Sequence, residues 1–375
     1  MELKKVRFDE GFGLNLEASK EKRVYGFCYE NFENNVLKSQ IHYEIEIHSM
    51  DDDFSDNCIF EINRKQLYIN NRTPDLKIEQ IVQKAAQTIF PLRIKIKSNG
   101  EIQEILTGNT IKKRWLSVKE DLLKYYKGET ISKVIHKIET VLLNDVLLKQ
   151  SISQNWFFHL YFKPLYVDYT EKLKCKFIWN SPVFGNQSIE YGAVHTIEEN
   201  YDADDKIKIK VNGITIDERT IEEIMEGYAF PKKHLSDEVS EPVESTMDVT
   251  YKLYKEDRSI FSVAGTFETK INENTQRKIQ AEIYHLAKTS SFRPSSDALN
   301  KENHRIFQSY QNKEDDDIID IAARIKKELE MATPKIERIL GTPRLKNEFY
   351  IPEKPEVNKK MSFANKIKSI FKKTK

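Results

Sequence analysis

Period-two alternation that runs into a turn signal constrains this chain more than any other feature. The heptapeptide Ile94-Lys95-Ile96-Lys97-Ser98-Asn99-Gly100 returns 113 residues later as Ile207-Lys208-Ile209-Lys210-Val211-Asn212-Gly213. Alternating apolar and cationic residues make a strand with one dry and one wet face. Asn-Gly tolerates the positive φ values of a type I′ turn, so both copies are expected to end in hairpin turns. At the same offset Ile111 aligns with Ile224 and Trp115 with Tyr228, but the match dissolves upstream. Duplication into two hairpin-plus-helix halves therefore competes with a simpler reading, in which a Lys- and Ile-rich chain repeats one hairpin phrase.

The same alternation marks residues 23–30 and, most cleanly, 38–48. There Ile41, Tyr43, Ile45 and Ile47 face one way, and His42, Glu44, Glu46 and His48 the other. Residues 58–63 and 66–69 read as a hairpin. Further strands are expected over 172–179, 188–197, 248–254, 259–269 and 276–286. Helical spacing covers 76–90, stopped by Pro91, then 109–126 behind an Asn109 N-cap, and 130–150 as one long helix. Thr220 and Glu223 form a capping box for a short helix. Within 156–162, Phe158, Leu160 and Phe162 alternate as on a strand. Hairpin signals outweigh strand–helix–strand alternation. The expected fold is α+β: a mostly antiparallel sheet built from hairpins and packed against three or four helices, with a C-terminal helical extension.

The expected organisation is an α+β domain over 1–287, a polar linker at 288–313, an amphipathic helical segment at 314–340, an extended Pro-containing linker at 341–360 and a basic amphipathic tail at 361–375. The 375 residues are 39% hydrophobic and 32% charged, with a net charge of +1, which excludes a global field for nucleic acid. Cys28, Cys58 and Cys175 are odd in number and widely spaced, as in a reducing compartment. The first residues lack an apolar signal core, and no run reaches the roughly 18 apolar residues of a membrane span. The expected location is the cytoplasm, with a peripheral position at the inner membrane surface as its variant.

Motifs for chemistry do not form. The cysteines lack metal spacing, and His42 and His48 stand about 20 Å apart along one strand. The acidic runs at 51–56, 202–205 and 315–317 do not fit a calcium loop. Gly11-Phe12-Gly13 and Gly128-Glu129-Thr130-Ile131-Ser132-Lys133 do not complete phosphate-binding motifs. Cys175 shares a strand face with Phe177 and Trp179, as a core thiol would. No catalytic residue, metal or cofactor is expected.

Two features point instead to binding. From Val357 onward there are seven lysines and no acid, and Met361, Ala364, Ile367, Ile370 and Phe371 fall on one helical face; the candidate docking residues of that tail are Lys360, Phe363, Lys366, Ile367, Lys368, Ile370, Phe371 and Lys372. This suggests a cytosolic, non-enzymatic adaptor or scaffold whose C-terminal helices dock a protein partner or an anionic membrane surface, without nucleic acid. The alternative is a module for an apolar ligand or peptide, built on the aromatics Trp156, Phe158, Tyr161, Phe162 and Tyr166. The stretch 90–169, with Asn99-Gly100-Glu101-Ile102, Arg114-Trp115 and Trp156-Phe157-Phe158, resembles a pattern in uncharacterised proteins of Bacteroidota-type genomes. That resemblance implies a bacterial source and carries no function over to this chain.

Overall fold

Among the described residues eleven strands join into one antiparallel sheet, and the first and last of them meet at its centre. The computed structural model describes residues 4–9, 11–17, 21–50, 58–232 and 241–286. Along the chain run β1 (Arg23–Glu33), β2 (Val36–Met50), β3 (Ile59–Ile69), α1 (Lys77–Gln87), β4 (Leu92–Ile96), β5 (Ile102–Ile105), α2 (Gly108–Tyr125), α3 (Glu129–Leu143), α4 (Asp145–Gln154) and α5 (Trp156–Tyr161). Then come β6 (Lys174–Phe184), β7 (Gln187–Ile197), β8 (Lys206–Thr215), α6 (Ile221–Met225), β9 (Glu244–Tyr254), β10 (Ile260–Asn272) and β11 (Thr275–His285). The spatial order is β5-β4-β3-β2-β1-β11-β10-β9-β8-β7-β6. Two meanders, β1 to β5 and β6 to β11, are thus sewn together by the β1–β11 ladder, Tyr25 opposite His285 through Glu33 opposite Arg277.

The fold is broadly α+β, but the sheet is much larger than the hairpin phrases suggested, and six helices accompany it among the described residues. Strand alternation explains the core. Ile45 and Ile47 on β2, Ile207 and Ile209 on β8, and Val249, Tyr251 and Leu253 on β9 all lie buried on one face. None of the helices among the described residues is long and apolar enough to cross a membrane.

The sheet cannot be flat. The edge strands β5 and β6 are ten inter-strand steps apart, which at about 4.8 Å each would separate them by about 48 Å. Yet α4 reaches both sides. The Lys149 ammonium donates to the Gln103 carbonyl on β5 at 2.6 Å, and Gln154 Nε2 donates to the Asn186 carbonyl in the β6–β7 turn at 3.2 Å. A helix of ten residues is only about 15 Å long. The sheet is therefore curled into an open barrel, and α4 rather than a strand ladder spans the gap.

Several expectations are corrected. Asn99-Gly100 is a hairpin turn between β4 and β5, with Gly100 at φ +97°. Asn212-Gly213 is not a turn. It lies inside β8, where Asn212 pairs with Val194 and Asp248, and Gly213 with Ala193 and Met247. Partners on both sides hold this copy extended, so tertiary pairing overrides turn propensity. Residues 59–69 form one strand, β3, rather than a hairpin; a register shift opposite Tyr43 and Ile45 absorbs the irregularity. The helix expected over 130–150 breaks at Asn144, whose side chain caps α4 by accepting from the Val146 and Leu147 amides. Residues 156–161 are the helix α5 rather than a strand.

The two Asn-Gly sites should respond differently to alanine. A Cβ on Gly100 would sit 2.8 Å from the Tyr166 ring and 2.9 Å from the Lys163 carbonyl, in a left-handed backbone. A Cβ on Gly213 meets the flexible Met247 side chain instead. Gly100→Ala is expected to cost about 1–3 kcal/mol in urea unfolding, and Gly213→Ala clearly less; equal costs would contradict this difference.

Candidate functional site

The aromatic run expected on a strand forms the helix inside the curl. Asn155 starts it, its side-chain oxygen accepting from the Phe157 amide at 3.1 Å. From this short helix side chains radiate to strands all around the sheet. Phe157 packs edge-on against Phe27 of β1, centroids 5.8 Å apart, and against Tyr43 of β2. Trp156 meets Phe267 of β10 at 4.8 Å, and the Leu160 carbonyl accepts from the Tyr251 hydroxyl of β9. His159 meets Trp179 of β6, and Phe162, just past the helix, meets Phe60 of β3.

Of the aromatics singled out from sequence, Phe158, Phe162 and Tyr166 are buried, while Trp156 and Tyr161 are partly buried and packed against the core. The structure brings all five into or beside one interior. The tail residues Lys360, Phe363, Lys366, Ile367, Lys368, Ile370, Phe371 and Lys372 lie outside the described residues, as do the linkers and the helical segment expected from 288 onward.

Residues 162–169 form a strap across one end of this interior. On one side the Tyr166 amide donates to the Asn99 carbonyl of the β4–β5 turn. On the other, the Lys163 ammonium lies 4.3 Å over the Trp179 ring of β6. The N-terminal segment ties the strap down. The Leu14 amide donates to the Val167 carbonyl, the Tyr169 amide donates to the Phe12 carbonyl, and Asp9 pairs with Arg258.

Behind the strap lies a cavity of about 30 Å³, lined among others by Arg23, Tyr25, Ile96, Phe162 and Tyr166. That holds a water or two and nothing larger. Its rim is polar. Arg23 pairs with Asp257 at 2.6 Å, Tyr161 donates to the Tyr25 hydroxyl at 3.2 Å, and Tyr25 donates to the Ile260 carbonyl. Burial raises the Tyr25 and Tyr161 hydroxyls above the usual phenol range, so they stay protonated and act as donors.

A second polar group surrounds Trp179. Its indole N–H lies 2.9 Å from the Ser181 hydroxyl and 3.2 Å from His159 Nε2. His195 is wholly buried, its ring edge-on to Phe177, and neither ring nitrogen has a partner among the described residues. Burial, reinforced by repulsion from Lys163, pushes His159 well below the usual imidazole range and His195 down to about 3. Burial lowers Lys163 itself to about 7, against a partial upward pull from Glu101. Sequence reading missed Lys163. Asn155, an N-cap residue directly before the aromatic run, was the available signal that a helix would carry His159 inward.

The chain was compared with known proteins. No family model matches it, and no curated protein matches it. Among solved structures it is similar to one of lipovitellin described as showing lipid-protein interactions, with 10% identity and a TM-score of 0.38. The match covers 87% of this chain and 35% of that one, so the chain spans about a third of its length.

The buried histidines carry a pH signature. His195 is neutral when folded above about 3 and titrates near 6.5 when unfolded, so between those values the unfolded chain binds more protons. Its share of the stability is full above about pH 6.5 and is lost as pH falls, by up to about 1.4 kcal/mol per pH unit. Chemical unfolding of His195→Phe between about pH 6.5 and about pH 4 should show a shallower loss than the unaltered chain. Parallel curves would refute the buried neutral state.

Proposed function

We propose that this protein binds an apolar ligand inside the curled sheet, with the strap that follows the aromatic helix as the element that yields. One observation carries the reading. The sheet interior is closed by an inserted helical segment, α4 to the strap, and not by strand pairing between β5 and β6. A ladder-closed barrel opens only by breaking a row of backbone hydrogen bonds. This interior opens when residues 162–166 shift, which breaks the Tyr166–Asn99 backbone hydrogen bond and a few side-chain contacts and leaves the strand ladders intact.

The cavity behind the strap is where such a shift begins, because it is the point where packing is incomplete. Filling it today would require Tyr161, Phe162 or Tyr166 to move, since it holds about 30 Å³ against the several hundred of a typical ligand site. The lining favours hydrocarbon: Leu16, Ile47, Phe60 and Ile96 beside the rings of Tyr25 and Phe162. A flexible acyl chain suits a narrow, aromatic-walled space better than a rigid polycycle.

The test is fluorescence titration of the full chain with methyl cis-parinarate, a neutral polyene ester. Saturable binding is expected, with energy transfer from tryptophan. Tyr161→Ala should tighten binding severalfold by enlarging the cavity, and Ile96→Phe should weaken it by filling the same space. No saturable binding to the unaltered chain or to Tyr161→Ala would overturn the reading.

A further inference from the structure

The chemistry around Trp179 is more specific than an apolar interior needs. Lys163 brings a cationic group to the strap, half-buried, with its ammonium against the face of an indole. No carboxylate pairs with it among the described residues. Glu101, the acid that acts on it from the β4–β5 turn, is hydrogen-bonded to Lys97 and Asn99 instead. A cation–π contact of this kind is weaker than a charge-assisted hydrogen bond to a carboxylate, so the ammonium would exchange it for an anion.

The neighbouring groups divide into satisfied and unsatisfied. His159 Nε2 is engaged by Trp179 and Ser181, so this imidazole is a structural member of the core. His195, 6.0 Å from the same indole by ring centroids, has no such engagement for either nitrogen. A fully buried imidazole with two unmet hydrogen-bonding atoms is destabilising unless something supplies a partner. Lys163 and His195 thus offer one uncommitted cation and one uncommitted N–H beside the same ring.

We propose that Lys163, with His195 beside it, receives the carboxylate of an acidic amphiphile whose hydrocarbon enters the sheet interior, an inference that rests on the apolar-ligand reading above. The ligand class is then a long-chain carboxylic acid rather than a neutral lipid. The groups facing Lys163 set its pH response. Glu101 from the β4–β5 turn favours its charge, while burial opposes it; Lys97, bound to Glu101, lies behind that acid, and His159 and His195 are neutral near pH 7. With its pKa near 7, Lys163 is charged at about pH 6 and neutral at about pH 9, whereas a carboxylic acid is ionised at both.

The experiment compares cis-parinaric acid with its methyl ester on the full chain at both pH values. The acid is expected to bind about tenfold or more tighter at about pH 6 than at about pH 9, and the ester equally at both. Lys163→Met should remove the acid's advantage while keeping ester binding, and Lys163→Arg should keep the advantage at both pH values. Equal, pH-independent binding of acid and ester would overturn the carboxylate site and leave the apolar-ligand reading standing. An undiminished acid preference in Lys163→Met would do the same. Failure of both probes to bind would overturn both.

Discussion

The packing of one six-residue helix against both arms of the sheet is the contact on which the rest depends. Phe157 holds β1 and β2, Trp156 holds β10, Leu160 receives β9, and His159 meets β6. Without a central body an eleven-stranded sheet has no reason to curl this far, because its edges gain nothing by approaching each other. With α5 inside, both arms bury their apolar faces on the same rings. Each fully buried aromatic of this kind is worth about 3–5 kcal/mol against alanine. The curl, the gap spanned by α4 and the strap over the cavity all follow from that choice of core.

The same arrangement accounts for where the polar groups sit. Side chains that must bridge from helix to strand inside an apolar space survive there only when hydrogen-bonded, as Tyr251 is to Leu160 and Tyr166 is to the Arg258 carbonyl. Lys163 and His195 depart from that rule, and they stand beside the strap that has to move for anything to enter. The proposed binding site and a weak point in the packing coincide. That coincidence is the basis of the functional reading, and it is independent of the segment beyond the sheet.

Strands were legible in the sequence where one face is wet. Ile41, Tyr43, Ile45 and Ile47 alternate with His42, Glu44, Glu46 and His48, and β2 is where that pattern puts it. The aromatic helix was not legible, because a helix apolar on all sides loses its 3.6-residue period and imitates a buried strand. Asn155 and Asn144 marked true helix starts through their capping oxygens, while Asn212 marked nothing, its amide being used across the sheet on Asp248. The curl was illegible for a different reason. It depends on contacts between residues far apart, such as Lys149 with Gln103 and Gln154 with Asn186, which no local pattern encodes. The five aromatics were found as a group, but their helical geometry, and with it His159 and Lys163, came only with the fold.

Hydrogen exchange of Phe157→Ala measures the central dependence most directly. Phe157 touches β1, β2 and its own helix, and none of its ring contacts reaches β6, β9 or β10. If α5 holds the two arms together, truncating that one ring should accelerate amide exchange in β6, β9 and β10 as well as in β1 and β2, with the whole interior loosening as a unit. Acceleration confined to β1, β2 and α5 would contradict the account. The two arms would then be stable separately, and the helix would be a passenger in a sheet that curls without it.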